Sequence, residues 1–305
     1  MKRIKMNSME KTREFLKSIG MPGGDAYDLP TSEKRFADGG QFRFEVPGIQ
    51  GPKVMKALLE AMDSYGLYLH RVTQTQGIMR LSDDDISKMV ELAHQYQTDL
   101  ILAVGPRATT DTSASVHTEE GVRMGYRLRG QEQIVRAIED VKRAVRLGCR
   151  GFLVYDEGCL WALNEMRKAG EIPSDSHFKV SAHAGHGNPC SAKLLETIGA
   201  DSINPVRDIQ LQMLAAMRQA VNCPIDIHTE NPKSTGGFIR HYEVPEMIRI
   251  AAPIYLKTGG SVAATHSWDS TEDDARKRAK QCSLVKRMID EYYPEAVWSP
   301  RGSLV

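Results

Sequence analysis

Asp226, His228 and Glu230 alternate with Ile225, Ile227 and Thr229 in the run PIDIHTEN, positions 224–231. A period of two is the period of an extended strand, so one face is apolar and the other carries three groups that bind protons or metals. The same alternation in HFKVSAHAG (177–185) puts Lys179, Ser181 and His183 on one face. In QFRFEVPG (41–48) it sets Arg43 and Glu45 opposite Phe42, Phe44 and Val46. Imidazoles and carboxylates aimed at one point suit a divalent ion such as Zn, Mn, Fe or Co, because those ions take mixed nitrogen and oxygen ligands. Hydrogen-bonded His–carboxylate pairs without a metal satisfy the same pattern. The predicted ligand set is Glu45, His183, His228 and Glu230.

Such convergence requires strands that end at one rim. From residue 41 onward, short apolar runs alternate with amphipathic helical stretches: QFRFEVPG, LYLHRVT, DLILAVGPR, RGFLVYDEG, HFKVSAHAG, ADSINP, CPIDIHTEN and PIYLKTGG are each followed by a helical pattern. Ser82 is a predicted N-cap and Gly148 a predicted stop. Strict βα alternation implies a parallel sheet, and eight units imply a closed (β/α)8 TIM barrel of the α/β class. The competing open sheet carries a glycine-rich fingerprint after its first strand, whereas VPGIQGP stands there. Residues 1–40 read as an N-terminal helical extension, with a helix near 9–19, and residues 41–305 as the catalytic barrel.

In this fold the chemistry sits at the C-terminal ends of the strands. Arg43, Arg71 and Arg107 stand near three successive strand ends, and guanidinium forks hold carboxylates or phosphates. His70, Asn204 and Arg240 are further predicted substrate contacts. Glu157, Lys257 and His186 are the predicted acid/base groups, since burial brings a carboxyl or an amine toward a useful pKa. Gly236, Gly237, Gly259 and Gly260 in the last two loops permit close approach of backbone to an anion. The long stretch from Ala108 to Gly130 has the length of a lid. Cys159 and Cys190 follow strands four and five, where each is either a nucleophile or a small apolar filler.

Forty basic and 39 acidic residues give a net charge of +1, which argues against a nucleic-acid partner. No window approaches the roughly 18 apolar residues of a membrane span, and the basic start has no apolar core of a secretory signal. Five cysteines without a C-x-x-C pair argue against a disulfide scaffold or structural zinc. A cytoplasmic protein with a small anionic substrate is expected, and the N-terminal extension suits contact with a second copy in a homo-oligomer.

The runs RFADGGQFRFEVPG, GPRATTDT, IGADSINPVRDIQLQMLAAMRQAVNCPIDIHTE and GGFIRHYEVPEMIRIAAPIYLK resemble bacterial barrel proteins grouped as U32-type peptidases. That resemblance implies a barrel and a hydrolase. The cysteine cluster typical of characterised U32 members, some tied to RNA modification or iron–sulfur chemistry, is absent from this chain. A fainter likeness of arrangement links Arg43, Glu45, His228 and Glu230 to metal-dependent aldolase and lyase barrels. The expected function is a lyase, aldolase or isomerase that removes a proton next to a carbonyl with metal assistance. A metal-assisted hydrolase and a non-catalytic ligand-binding barrel are the alternatives.

Overall fold

A computed structural model describes residues 9–107, 118–119, 125–263 and 270–303. Eight parallel strands close into a barrel in sequence order. They are β1 (Phe42–Pro47), β2 (Arg71–Thr73), β3 (Asp99–Ala103), β4 (Gly151–Val154), β5 (His177–Val180), β6 (Ser202–Ile203), β7 (Ile225–His228) and β8 (Ile254–Lys257). The helices that follow them are α2 (Pro52–Ser64), α3 (Asp83–Tyr96), α4 (Gly130–Arg146), α5 (Glu157–Ala169), α6 (Pro189–Thr197), α7 (Leu211–Ala220), α8 (Val244–Ala251) and α9 (Glu272–Tyr292). The barrel read from the sequence is therefore the observed fold.

Alternation along each strand divides the residues as the pattern requires. Phe44, Val46, Val72, Phe152, Phe178, Ile225, Ile227 and Leu256 join the helices in one large apolar core. The barrel interior is different: Ile101, Ala103, Leu153 and Tyr155 form a small separate apolar cluster, and the rest of the lining is polar or charged. Ser82 caps α3 through a reciprocal box with Asp85, as its position in the sequence predicts. No helix among the described residues is long and apolar enough to cross a membrane.

The N-terminal end of the barrel is plugged. Asp38 pairs with Arg43 at 2.8 Å, Phe36 meets the Tyr255 ring edge-on, and Trp298 stacks on Tyr68 at 3.9 Å. Of the N-terminal segment, residues 32–38 thus cover a barrel end. Its helix α1 (Glu10–Ser18) buries no side chain. Among the described residues that end of the barrel is filled, and a cavity opens at the opposite mouth.

Candidate active site

Below the mouth lies a layer of charges. Lys179 pairs with Glu45 and lies 3.1 Å from Asp226. Arg71 reaches Asp226 at 3.3 Å and Asp99 at 3.4 Å, and also donates to Ser202. All these groups are buried. Charges in low dielectric persist only when paired, and register brings the pairs together: Glu45 lies beside Arg71 and Lys257 on the neighbouring strands. Burial alone would raise the Glu45 pKa, but Lys179, Lys257 and Arg71 outweigh it and hold the carboxyl down at about 2. One step further from the mouth, burial opposes the charge on His177 and the Asp99 carboxylate overcomes it, so the His177 pKa is raised.

Lys257 is the uppermost member of this network. It ends β8, is almost fully buried, and donates to Asn204 Oδ1 at 3.0 Å. Asn204 is itself fixed, because its amide donates to the Asp226 carbonyl at 2.7 Å. Glu45 is 3.6 Å from the ammonium, too far for a direct hydrogen bond. Burial, and then repulsion from Lys179, lower the Lys257 pKa to about 7 against the pull of Glu45 and Asp226. An amine so placed is substantially neutral at physiological pH.

Above Lys257 opens a cavity of about 240 Å³, of a size to take a small molecule. His228 lines it beside Lys257. Neither ring nitrogen of His228 has a hydrogen-bond partner among the described residues. Burial, and the charges of Lys257, Arg207 and Lys179, push its pKa well below the usual value, so the imidazole is neutral. His183 stacks on Tyr126 at 3.8 Å and its Nε2 lies 2.7 Å from the Arg207 guanidinium. Since arginine only donates, Nε2 accepts and the ring proton sits on Nδ1. Arg107 stacks over Tyr155 at 3.9 Å and donates to the carbonyls of Thr75 and Gln76. The cavity wall is thus rich in cationic donors, with Arg107, Arg207 and Arg278 all contributing.

The expected ligand set does not converge. Glu45 is engaged by Lys179 and Thr73. Glu230, past the end of β7, accepts from the Gly259 amide and Ser261 and contacts His241, so it ties the last two loops together. His183 faces a guanidinium. Among the described residues no three His, Cys, Asp or Glu side chains are grouped to hold a metal ion. The donors that remain are surrounded by cations, which repel a dication and attract an anion. Among the described residues, the expected ligands do not group to fit the metal.

Of the predicted acid/base groups only Lys257 lines the cavity. Glu157 pairs with Arg127 and with His186. Burial opposes its charge, but these two partners lower its pKa to about 2, leaving it a fixed anion. Of the predicted substrate contacts, Arg107 and Asn204 line the cavity. Arg43 and His70 do not; they belong to the plugged end, bonded to Asp38, Tyr255 and Ser299. Arg71 is consumed by the charge layer. Arg240 pairs with Glu243 and donates to the Ile209 carbonyl.

Cys159 is buried in α5, and burial pushes its thiol up to about 12. Cys190 is exposed on α6, and neither cysteine lines the cavity. Of the four loop glycines only Gly260 does. Most of the expected lid, 108–117 and 120–124, lies outside the described residues.

Lys179, Arg207, Tyr126 and Arg278 were not among the predicted site residues. Position could have flagged Arg207, three residues beyond Asn204 at the top of β6. Arg278 falls in the apolar stripe of α9 between Ala275, Ala279 and Cys282, and a charge in such a stripe is a signal in itself.

No family model and no curated protein matches the chain. Solved structures that resemble it include the U32 peptidase Mk0906 (16% identity, 67% of this chain and 74% of that one, TM-score 0.42) and the native KDPGal structure (11% identity, 86% and 98%, TM-score 0.49). A 3-hexulose-6-phosphate synthase is a third, at 11% identity over 80% and 99% with a TM-score of 0.45. At these identities the likeness is one of barrel fold.

Proposed function

We propose that this chain is a lyase of the aldolase kind that acts on a small anionic oxo acid, with the Lys257 amine as its nucleophile. The supporting observation is a lysine at the end of β8, its pKa lowered to about 7 by burial and then by a second lysine beneath it, that opens into a small cavity lined by arginines. A desolvated amine next to another cation is one recurrent way to make lysine nucleophilic. The aldolase or lyase reading expected from the sequence is kept, with the lysine in place of the metal.

The chemistry runs as follows. The neutral ε-amine adds to the carbonyl carbon, forming a C–N bond. One proton of the attacking amine passes to the oxygen, and Tyr155, in the cavity wall with its phenol kept protonated because burial raises its pKa, supplies the second, so that water leaves; solvent then reprotonates the phenol. The resulting cationic iminium draws electrons from a bond one carbon away, either C–H or C–C. His228, neutral and with no ring-nitrogen partner among the described residues, accepts the proton: from carbon when C–H breaks, or from the neighbouring hydroxyl that becomes a carbonyl when C–C breaks. Arg107 and Arg207 hold the substrate carboxylate and offset its charge.

Formation of the iminium and its hydrolysis exchange the carbonyl oxygen with solvent. Pyruvate incubated with the protein in isotopically labelled water is therefore expected to exchange faster than the uncatalysed background. Equal rates in wild type and Lys257→Met would sink the proposal. The pH profile carries a sign. Only the neutral amine attacks, so kcat/KM is expected to fall about tenfold per unit below a pH of about 7 and to level off above it. Arg107→Ala is expected to raise KM by roughly 10- to 100-fold, the loss of one charged hydrogen-bonding group. An unchanged KM would remove Arg107 from the site.

A further inference from the structure

Arg278 has no role in that chemistry, yet it lines the same cavity. It comes from the buried face of α9 and is only 6% exposed. One guanidinium nitrogen donates to the Pro47 carbonyl at 2.7 Å, and Nε has no partner among the described residues. The nearby acids are already engaged: Asp274 closes the capping box with Thr271, and Glu230 is held by Gly259, Ser261 and His241. Among the described residues no carboxylate forms an ion pair with Arg278. A buried cation left this way is costly, and burial lowers its pKa.

The backbone makes room for it. A Cβ at Gly48 would lie 3.2 Å from both terminal nitrogens of Arg278, and one at Gly259 would lie 2.8 Å from its Cβ and Cγ. Both glycines have positive φ, 76° and 91°, which other residues rarely adopt. Ring order gives the direction. Gly48 follows β1 and Gly259 follows β8, whereas Arg107 follows β3, His183 follows β5 and Arg207 follows β6. In a closed eight-strand ring, β3 to β6 face β8 and β1 across the mouth. The cavity therefore has cationic groups on both sides, and in ring order His228 on β7 and Lys257 on β8 follow Arg207 and precede Gly48 beside Arg278.

We propose that Arg278 is a second anion subsite, so that the substrate is a dianion: an oxo acid with its carboxylate toward Arg107 and Arg207 and a second carboxylate or a phosphate on Arg278. This rests on the oxo-acid reading of Lys257 but stands on different residues. The test is calorimetric binding of α-ketoglutarate against α-ketovalerate, which has the same chain length and lacks the second charge. The phosphonate analogue of α-ketoglutarate forms a third arm. Wild type is expected to bind the dianion at least about tenfold more tightly. Arg278→Met is expected to erase that preference and Arg278→Lys to keep part of it, so the point survives if the methionine variant folds poorly.

Lys257→Met is expected to lose oxygen exchange yet keep the dianion preference, which separates failure of the nucleophile from failure of the subsite. Tighter binding of the phosphonate than of α-ketoglutarate would assign the subsite to phosphate, and the reverse to carboxylate. Equal binding of dianion and monoanion by wild type, or a preference unchanged in both Arg278 variants, would overturn the proposal.

Discussion

Lys257→Met is expected to lower kcat/KM on an oxo-acid substrate on the order of 10⁴-fold or more, the scale seen when a covalent nucleophile is removed. The substitution removes the amine and leaves the arginines, His228 and the cavity walls in place, so substrate affinity should change far less than turnover. Folding should survive. The ammonium of Lys257 is the network's outermost charge and its nearest carboxylate is 3.6 Å away, while Glu45 keeps Lys179 and Thr73 as partners. A Met side chain of similar length fills the space without adding a polar group that needs a partner. Thermal unfolding within a few degrees of wild type, with turnover gone, is the expected combination. A variant that unfolds early would point to a mainly structural lysine.

The second large effect belongs to the charge layer. Glu45→Gln removes the carboxylate that Lys179 pairs with and that Lys257 and Arg71 also face. Breaking a buried ion network by deleting one partner costs about 3–5 kcal/mol, a large share of the 5–15 kcal/mol that typically holds a domain together. Its effect on Lys257 has a definite sign. Glu45 raises the Lys257 pKa and Lys179 lowers it. Glu45→Gln should therefore move the midpoint of the pH profile below about 7, and Lys179→Met should move it toward the ordinary lysine value. Both variants lose stability, measurable by denaturant unfolding, but their kinetic midpoints shift in opposite directions. A purely structural network would give two unstable proteins with unshifted midpoints. The opposed shifts separate tuning of the amine from support of the barrel.

Much of this was legible from residue order. The two-residue period of β1, β5 and β7 placed Glu45, Lys179, Asp226 and His228 inside the barrel, and βα alternation supplied the closed ring. Their partners were not legible. Arg71 and Asp99 are neighbours only because β2 and β3 pair in that register, and the stagger of a closed barrel sets which depth a residue reaches. Hence Arg43 and Arg71, read as substrate contacts near the strand ends, sit deeper, and Glu230 leaves the row because β7 ends at His228. The row Asp226, His228, Glu230 splits three ways: one counter-ion, one cavity imidazole and one loop tie. Arg278 escaped because a helix that follows the last strand is read as packing, and only the ring's closure brings α9 beside α2 and Arg278 to the Pro47 carbonyl at the end of β1.

The most direct measurement is reductive trapping. The protein is incubated with pyruvate or α-ketoglutarate and cyanoborohydride, digested, and mapped by mass spectrometry. A Schiff-base role for Lys257 demands a stable adduct on the peptide that carries Lys257, one equivalent per chain, formed faster as pH rises through about 7, and absent in Lys257→Met. Adducts spread over exposed lysines, or equal labelling of the Lys257→Met variant, would contradict it.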